Sequence, residues 1–321
     1  MKLIGGCNQE YTNSQNSIMM KNKLRKHCPK QIYQLYGSTK YWLRFKFHPQ
    51  GLASELFKGI LGYEMNWKKP QDLNEKINWM KFNYDTSEWT RLADKYLVRD
   101  YVKERISEDV LVKLYGVWKR AEEIDFDKLP NRFVLKTNHG AGTVLPVMDK
   151  TLLDIDKTRK QLNNWLKIKY GYQTVEPHYL GIHPLVIAEE LLINDSDFSS
   201  SLVDYKVYCF DGKPFCILVC SDRTIGEQAH FTYYDLNWSR MSDVLIDKLK
   251  PFQANVPKPK HLDQLLDCAE KLAKGHPQVR VDFYIVKDRI FFGEMTFTSE
   301  GGYDGDVTRE FCTEMGSHIT L

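Results

Sequence analysis

An α+β fold is predicted by three features of this 321-residue sequence. Stretches of helical period alternate with pairs of strand-like, mostly antiparallel segments. Two of those pairs carry tight turn signals, Asp211-Gly212 and Lys287-Asp288-Arg289. Neither G-x-x-x-x-G-K-[ST] nor G-x-G-x-x-G occurs, which removes support for the doubly wound parallel sheets that those loops open. The length suits one large or two ordinary domains at roughly 150 residues each.

The elements follow in order. Pro70 and a cap at Asp72 or Asn74 open a helix over 72–83, with Ile77, Met80 and Lys81 at helical spacing and Trp79 beside them. A second helix is expected over 87–104 on Leu92, Tyr96, Val98, Tyr101 and Val102. Residues 133–136 read as a buried strand, 137–142 as a small polar loop and 143–148 as a second strand. An amphipathic helix over 152–169 carries Ile155, Leu162, Trp165 and Leu166. Residues 185–193 form a further buried strand, and 205–210 pairs with 214–220. A helix over 261–274 precedes the last hairpin, 279–286 with 290–297.

Lys and Arg number 45 against 42 Asp and Glu, a net charge of +3, which argues against a nucleic-acid binder. The charge is uneven. Residues 21–50 hold Lys21, Lys23, Arg25, Lys26, Lys30, Lys40, Arg44 and Lys46 and no acid. Such a window attracts a phosphate, a polyuronate or an acidic membrane surface. It reads equally as a solvated face, since Tyr33, Tyr36, Tyr41, Trp42 and Phe45 are interleaved. The seven Cys include no C-x-x-C pair, and Cys216 and Cys220 lack a completing zinc pattern, so reduced thiols in the cytoplasm are expected. No apolar run reaches about 18 residues, and the N-terminus shows no long apolar stretch that would direct secretion.

Five segments carry residues of chemical interest. In FVLKTNHGAGTV (133–144), Lys136 ends a strand before a Gly-bearing loop. Such a loop lets the backbone approach phosphate, with Lys136 as a point charge. Alone, it reads as a Gly-rich hairpin. In VIAEELLI (186–193), Glu189 and Glu190 interrupt an apolar strand. Burying a carboxylate demands a partner, either a polar cleft or a structural Lys or Arg. In VRVDFYIVKDRIFFGEMTF (279–297), period two places Arg280, Asp282 and Tyr284 on one face and Phe292, Glu294 and Thr296 on one face of the partner. A three-residue loop sets Asp282 opposite Glu294 and Arg280 opposite Thr296. Two facing carboxylates repel unless a cation joins them, and Mg²⁺ with substrate phosphates is the usual solution. In DYKVYCFDGKP (204–214), Lys206 shares a face with Asp204 and Tyr208; in ADKYLVRDYVKER (93–105), Lys95 and Arg99 stand four apart on a helix.

In this order the segments resemble the ATP-grasp superfamily, and most closely its TupA-like branch, found in cell-surface polysaccharide and teichuronopeptide assembly. LNEKINWMKF (73–82), ADKYLVRDYV (93–102), LPNRFVLKTNHGAGTV (129–144), HPLVIAEELL (183–192), DYKVYCFDGKP and VRVDFYIVKDRIFFGEMTF carry the resemblance, over about residues 40–305. It implies two α+β subdomains gripping ATP after an N-terminal basic and helical segment, 1–85. The ATP-grasp domain is then 86–321, with a lid at about 130–185 and a catalytic subdomain at about 186–305. Lys95 and Lys136 contact phosphates, and the loop of Thr137, Asn138, His139, Gly140, Gly142 and Thr143 closes over them. Glu189, Glu190 and Leu191 form the adenine hinge. Asp282 and Glu294 bind Mg²⁺, and Thr296 stands where the family has a metal-binding Asn. Arg280 steadies the transferred group, and Lys206 lies near the phosphates.

The implied function is an ATP-dependent carboxylate–amine ligase with an acyl-phosphate intermediate. Its carboxylate would come from a uronic acid or amino acid, and its product would decorate a capsule, O-antigen or similar glycan. The partners are a carboxylate and an amine co-substrate, with no nucleic acid. The location is cytoplasmic, with the 21–50 window open to a lipid-linked glycan or the membrane's inner face. The alternatives are a sugar kinase of the same fold or a non-catalytic glycan-binding scaffold.

Overall fold

The computed structural model describes residues 39–223 and 229–321. Lys21, Lys23, Arg25, Lys26 and Lys30 of the basic window lie outside the described residues, as do Tyr33, Tyr36, Cys7 and Cys28.

The chain runs through helices α1 (Thr39–Phe47), α2 (Pro49–Leu61), α3 (Leu73–Asn83), α4 (Ser87–Ala93) and α5 (Val98–Arg105). Strands β1 (Leu114–Trp118), β2 (Phe133–Thr137) and β3 (Val144–Val147) follow, then α6 (Ile155–Leu166), the single turn α7 (Pro177–Leu180) and β4 (Val186–Glu189). The remainder is β5 (Asp204–Phe210), β6 (Lys213–Ser221), β7 (His230–Tyr234), α8 (Leu262–Ala273), β8 (Gln278–Val286), β9 (Arg289–Thr296) and α9 (Arg309–Ser317). All strand pairing is antiparallel, in sheets ordered β1-β4-β2-β3 and β7-β6-β5-β8-β9, so the α+β expectation holds.

Two compact units divide these elements. The first takes the described residues up to Met65 together with Lys113–Leu191. Its four-stranded sheet packs Phe133, Leu135, Val186 and Ala188 against Leu162 and Trp165 of α6. The second takes Asn66–Val112 and Leu192–Leu321. Here α8 packs on β5, β6 and β8, and its Leu265, Ala269 and Leu272 join Val207, Val281 and Phe283 in the core. Cys209, Cys216, Cys220, Cys268 and Cys312 are free and buried.

Local chemistry sets the element ends. Asp72 caps α3 through a capping box: its carboxylate accepts from the Glu75 N–H, and Glu75 accepts from the Asp72 N–H. The single helix expected over 87–104 is two helices. Asp94 breaks it by accepting from the N–H groups of Tyr96 (2.8 Å) and Leu97 (3.2 Å), while its carbonyl takes Val98 N–H. Lys95 therefore sits in a turn, and the shared helical face with Arg99 does not exist. The strand expected over 185–193 stops at Glu189, because its neighbour β1 begins at Leu114, opposite Glu189. The helix expected over 152–169 starts only at Ile155, where Asp154 caps it by accepting from Lys157 N–H at 2.9 Å.

The last hairpin reaches its expected pairing by another route. Its loop is the two residues Lys287 and Asp288, both left-handed (φ 50° and 54°), because Val286 pairs directly with Arg289. The register then shifts between Asp282 and Phe283, leaving Gly293 as the extra residue of a β-bulge. That one-residue shift puts Glu294 opposite Asp282 and Thr296 opposite Arg280. It also moves Phe292 off the face of Glu294, where the alternation expected it. Phe292 now pairs with Phe283 and joins the core.

Buried α3 has a polar face. Asn74 donates through Nδ2 to the Asp304 carbonyl (2.9 Å) and accepts Asp304 N–H at Oδ1 (2.8 Å), and Asn78 Nδ2 donates to the Gly302 carbonyl (2.7 Å). Lys81 donates to the Gly301 carbonyl and lies over the Tyr303 ring at 4.6 Å. The loop so held follows β9 and is left-handed at Glu300, Gly301 and Gly302.

A Cβ on Gly293 would stand 2.9 Å from the Asp282 carbonyl oxygen and 3.2 Å from the Tyr284 ring. Gly293→Ala is therefore expected to lower stability by about 1–3 kcal/mol through overpacking at the bulge. Urea unfolding measures this, and an unchanged midpoint would refute the close approach.

Candidate functional site

The bulge gathers charge on one face of the second unit's sheet. Pairings Asp204 with Tyr284, Lys206 with Asp282 and Tyr208 with Arg280 across β5–β8 continue as Asp282 with Glu294 and Arg280 with Thr296 across β8–β9. Directly paired residues share a face, so three strands present one ladder of ionisable groups.

Arg280 grips Asp282 with Nε at 2.8 Å and Nη2 at 2.9 Å. Lys206 also bonds Asp282 and lies 3.3 Å from Asp204. Arg223 reaches Asp204 at 2.6 Å. Lys95, from the turn before α5, reaches Glu294 at 3.1 Å, and Arg280 stands 3.7 Å from the other Glu294 oxygen. Thr296 Oγ1 accepts from Arg280 Nη2 at 3.2 Å and lies 3.5 Å from Glu294. Four cations thus meet three carboxylates. The Asp282 side chain is 1% exposed and that of Glu294 33%, so Glu294 is the carboxylate open to solvent.

The charges hold one another ionised. Burial alone would raise the Glu294 carboxyl, but Lys95, Lys206 and Arg280 outweigh it and set the group well below the ordinary carboxylate range. Burial would likewise discharge Lys206, yet Asp204 and Asp282 hold its ammonium well above the usual lysine value.

The donor set has the chemistry of a hard-cation site. Asp282, Glu294 and Thr296 offer oxygen alone, and Mg²⁺ takes one or two carboxylates together with phosphate oxygens. Among the described residues no three His, Cys, Asp or Glu cluster as a self-sufficient metal site. The set therefore fits a metal that arrives with phosphates, not one caged by protein.

The first unit holds the other predicted residues. Lys136, on β2, pairs with Glu189, on β4, at 2.5 Å, and both are largely buried. Glu190 is exposed, with its N–H on the Lys113 carbonyl at 2.9 Å. Leu191 is half-buried beyond the strand. The loop between β2 and β3 is closed by Thr137 and Thr143, whose hydroxyls lie 2.6 Å apart. Asn138 donates to the His183 carbonyl (3.0 Å) and accepts Leu185 N–H (2.7 Å), and the His139 ring lies 3.0 Å from the Ile168 carbonyl. Gly140 packs on Tyr170, where a Cβ would stand 3.0 Å from the ring, and Gly142 is left-handed at φ 77°. The side chains of Asn138 and His139 thus brace the loop.

Two members of the ladder were not singled out as site residues from the sequence. Asp204 shares the Lys206 face by period two, a signal the sequence does carry. Arg223 lies past the end of β6, where alternation stops, and no sequence signal marks it.

A family model described as TupA-like ATPgrasp matches residues 75–320. Among solved structures, ATP-grasp ligase PsnB complexed with minimal precursor is 14% identical with a TM-score of 0.41, covering 76% of this chain and 65% of that one. The chain thus spans just under two thirds of that ligase. D-alanine–D-alanine ligase from Bacillus anthracis complexed with ATP is 13% identical (TM-score 0.39; 91% and 82% covered). The Helicobacter pylori D-alanine–D-alanine ligase is also 13% identical (TM-score 0.42; 78% and 67%). No curated protein matches.

The lowered Glu294 carboxyl contributes stability that is present above its unfolded-state value and lost as pH falls through its folded-state value. Lys95→Met removes one of the cations that lower it, so that loss should begin at a higher pH. Urea midpoints from about pH 3 to pH 7 test this; an acid limb identical to the parent's would sink it.

Proposed function

The chain belongs to the TupA-like ATP-grasp family, and from that premise we propose that it is an ATP-dependent carboxylate–amine ligase. One observation supports the reading above others: Asp282 and Glu294 face each other inside a ring of Lys95, Lys206 and Arg280. A binding scaffold has no use for two opposed carboxylates, one buried and one open to solvent, whose repulsion neighbouring cations must offset.

In the proposed reaction a substrate carboxylate oxygen attacks the γ-phosphorus of ATP. The bond to the bridging oxygen breaks, ADP leaves, and an acyl phosphate remains. An amine then adds to the acyl carbon, inorganic phosphate departs, and a proton is released from nitrogen as the amide forms. Phosphoryl transfer of this kind rests on positioning and charge neutralisation. Asp282 and Glu294 would hold Mg²⁺, with the Thr296 hydroxyl a weaker ligand, and the ion would neutralise phosphate charge. Arg280, fixed by two bonds to Asp282, keeps its guanidinium oriented toward developing negative charge. Lys206 and Lys95 supply further positive charge to an incoming phosphate. Lys136, kept in place by Glu189, is proposed as the first unit's phosphate contact. Residues 189–191 are proposed as the adenine hinge, 137–143 as the phosphate loop, about 130–185 as the lid and about 186–305 as the catalytic subdomain of an ATP-grasp domain spanning 86–321.

The proposed carboxylate donor is a uronic acid or an amino acid, and the product an amide on a surface polysaccharide. The acid-free 21–50 window would suit an acidic, lipid-linked acceptor at the cytoplasmic face of the membrane.

ADP and phosphate release from Mg-ATP, measured against uronic acids and amino acids singly and in pairs, tests the reading. Release that needs one carboxylate and one amine together is expected. A stable phosphorylated sugar formed without an amine would make the protein a kinase instead. Asp282→Asn should lower kcat by on the order of 10²-fold or more, and Lys136→Met should chiefly raise the KM for ATP. Full activity in Asp282→Asn would remove the proposed metal role.

A further inference from the structure

Helix α1, within the basic window, presents an exposed face that the charged ladder and its reaction do not use. Helical spacing divides its residues between two faces. Arg44 and Phe45 face inward: Arg44 bonds Glu55, with Nη1 at 2.8 Å, and Phe45 meets the Tyr172 ring edge-on at 4.7 Å. Trp42, Leu43, Lys46 and Phe47 fall on the opposite arc, and all four are exposed. Trp42 and Leu43 are each 45% exposed and Phe47 63%. The Lys46 ammonium lies 5.4 Å from the Trp42 ring centre and 5.5 Å from that of Phe47, so a positive charge sits within the aromatic patch. Single exposed apolar side chains are ordinary, but three together on a short helix form a patch that calls for a cover.

Charge identifies the cover. Residues 21–50 carry eight Lys and Arg and no Asp or Glu; five of the eight lie outside the described residues, Arg44 is paired with Glu55, and Lys46 stands on this face. Aromatic side chains settle at the headgroup level of a bilayer, and neighbouring basic residues are drawn to anionic lipid. A second copy docked through the same face would bring its own Lys46 against this positively charged patch and be repelled. Free phosphate gives the rings nothing to bind. We infer that the outer face of α1 is a membrane-docking surface that seats the chain on an anionic bilayer. The Trp42 and Phe47 rings enter the interface there, and Lys46 meets lipid phosphate. This inference does not depend on the ligase reading.

Flotation of the full chain with vesicles of phosphatidylcholine, with and without phosphatidylglycerol, tests it. Binding to the anionic vesicles is expected to be at least about tenfold stronger and to fall steeply in roughly 1 M salt. The double variant Trp42→Ala, Phe47→Ala should weaken binding by about tenfold or more with an unchanged Tm, since both side chains are exposed. Trp42→Phe should lose the part of the fluorescence that brominated lipid quenches. Failure of the parent to float with anionic vesicles overturns the inference. Undiminished flotation of the double variant also overturns it and assigns membrane binding to charge outside α1. A lipid-free dimer that the double variant dissociates would give the face to a second copy instead.

Discussion

Everything about the candidate site depends on one constraint: a carboxylate as deeply buried as that of Asp282 must meet opposite charge. Taking an ion out of water costs several kcal/mol, and only close, well-aligned opposite charge offsets it. Arg280 takes both Asp282 oxygens, and Lys206 adds a second cation from the neighbouring strand. Lys206 in turn needs Asp204, and Asp204 needs Arg223. Pairing therefore propagates across β5, β8 and β9 and out to the turn that holds Lys95. A packed apolar face would stabilise the sheet at least as well. Stability alone therefore does not account for so many charges on one face.

The ladder was partly legible in the sequence. The opposition of Asp282 and Glu294 follows from a single extra residue between turn and carboxylate. A three-residue loop was the expected source, but the structure places the extra residue at Gly293. Both routes give the same opposition, yet they differ at Phe292, which the bulge turns into the core. An isolated Gly inside a strand is itself a bulge signal, so the information was present but outweighed by the Lys-Asp-Arg turn. Lys95 shows another limit. Helical period ran through 87–104 without a break, and only the side-chain geometry of Asp94, bonded to its own backbone neighbours, ends the first helix and places Lys95 toward Glu294.

What the sequence hid is mostly long-range. Asn74 reads as a candidate cap and Lys81 as sharing the helical spacing of Ile77 and Met80, and nothing marks Asn78. All three are buried against carbonyls of a loop more than 200 positions later in the chain. Local pattern contains no term for such a partner. The same applies to Arg223 and to the bracing of Asn138 by His183 and Leu185.

The charge count of the ladder bears on how it would work. Among the described residues three carboxylates face four cations, one positive charge in excess. A unit pair at about 4 Å interacts by about 4 kcal/mol at an effective dielectric of about 20. Repulsion between Asp282 and Glu294 is therefore of the same order as any single attraction that offsets it, and the array balances only as a set. Phosphates would compete with the carboxylates for Lys95, Lys206 and Arg280, and a divalent ion would compete with those cations for Asp282 and Glu294. Bound together, as the proposed reading requires, phosphate and metal would offset much of each other's charge. Either alone would leave an imbalance. Under the proposed reading, a ladder built this way would favour the metal–nucleotide complex over its parts, the selectivity that an ATP-dependent ligase requires.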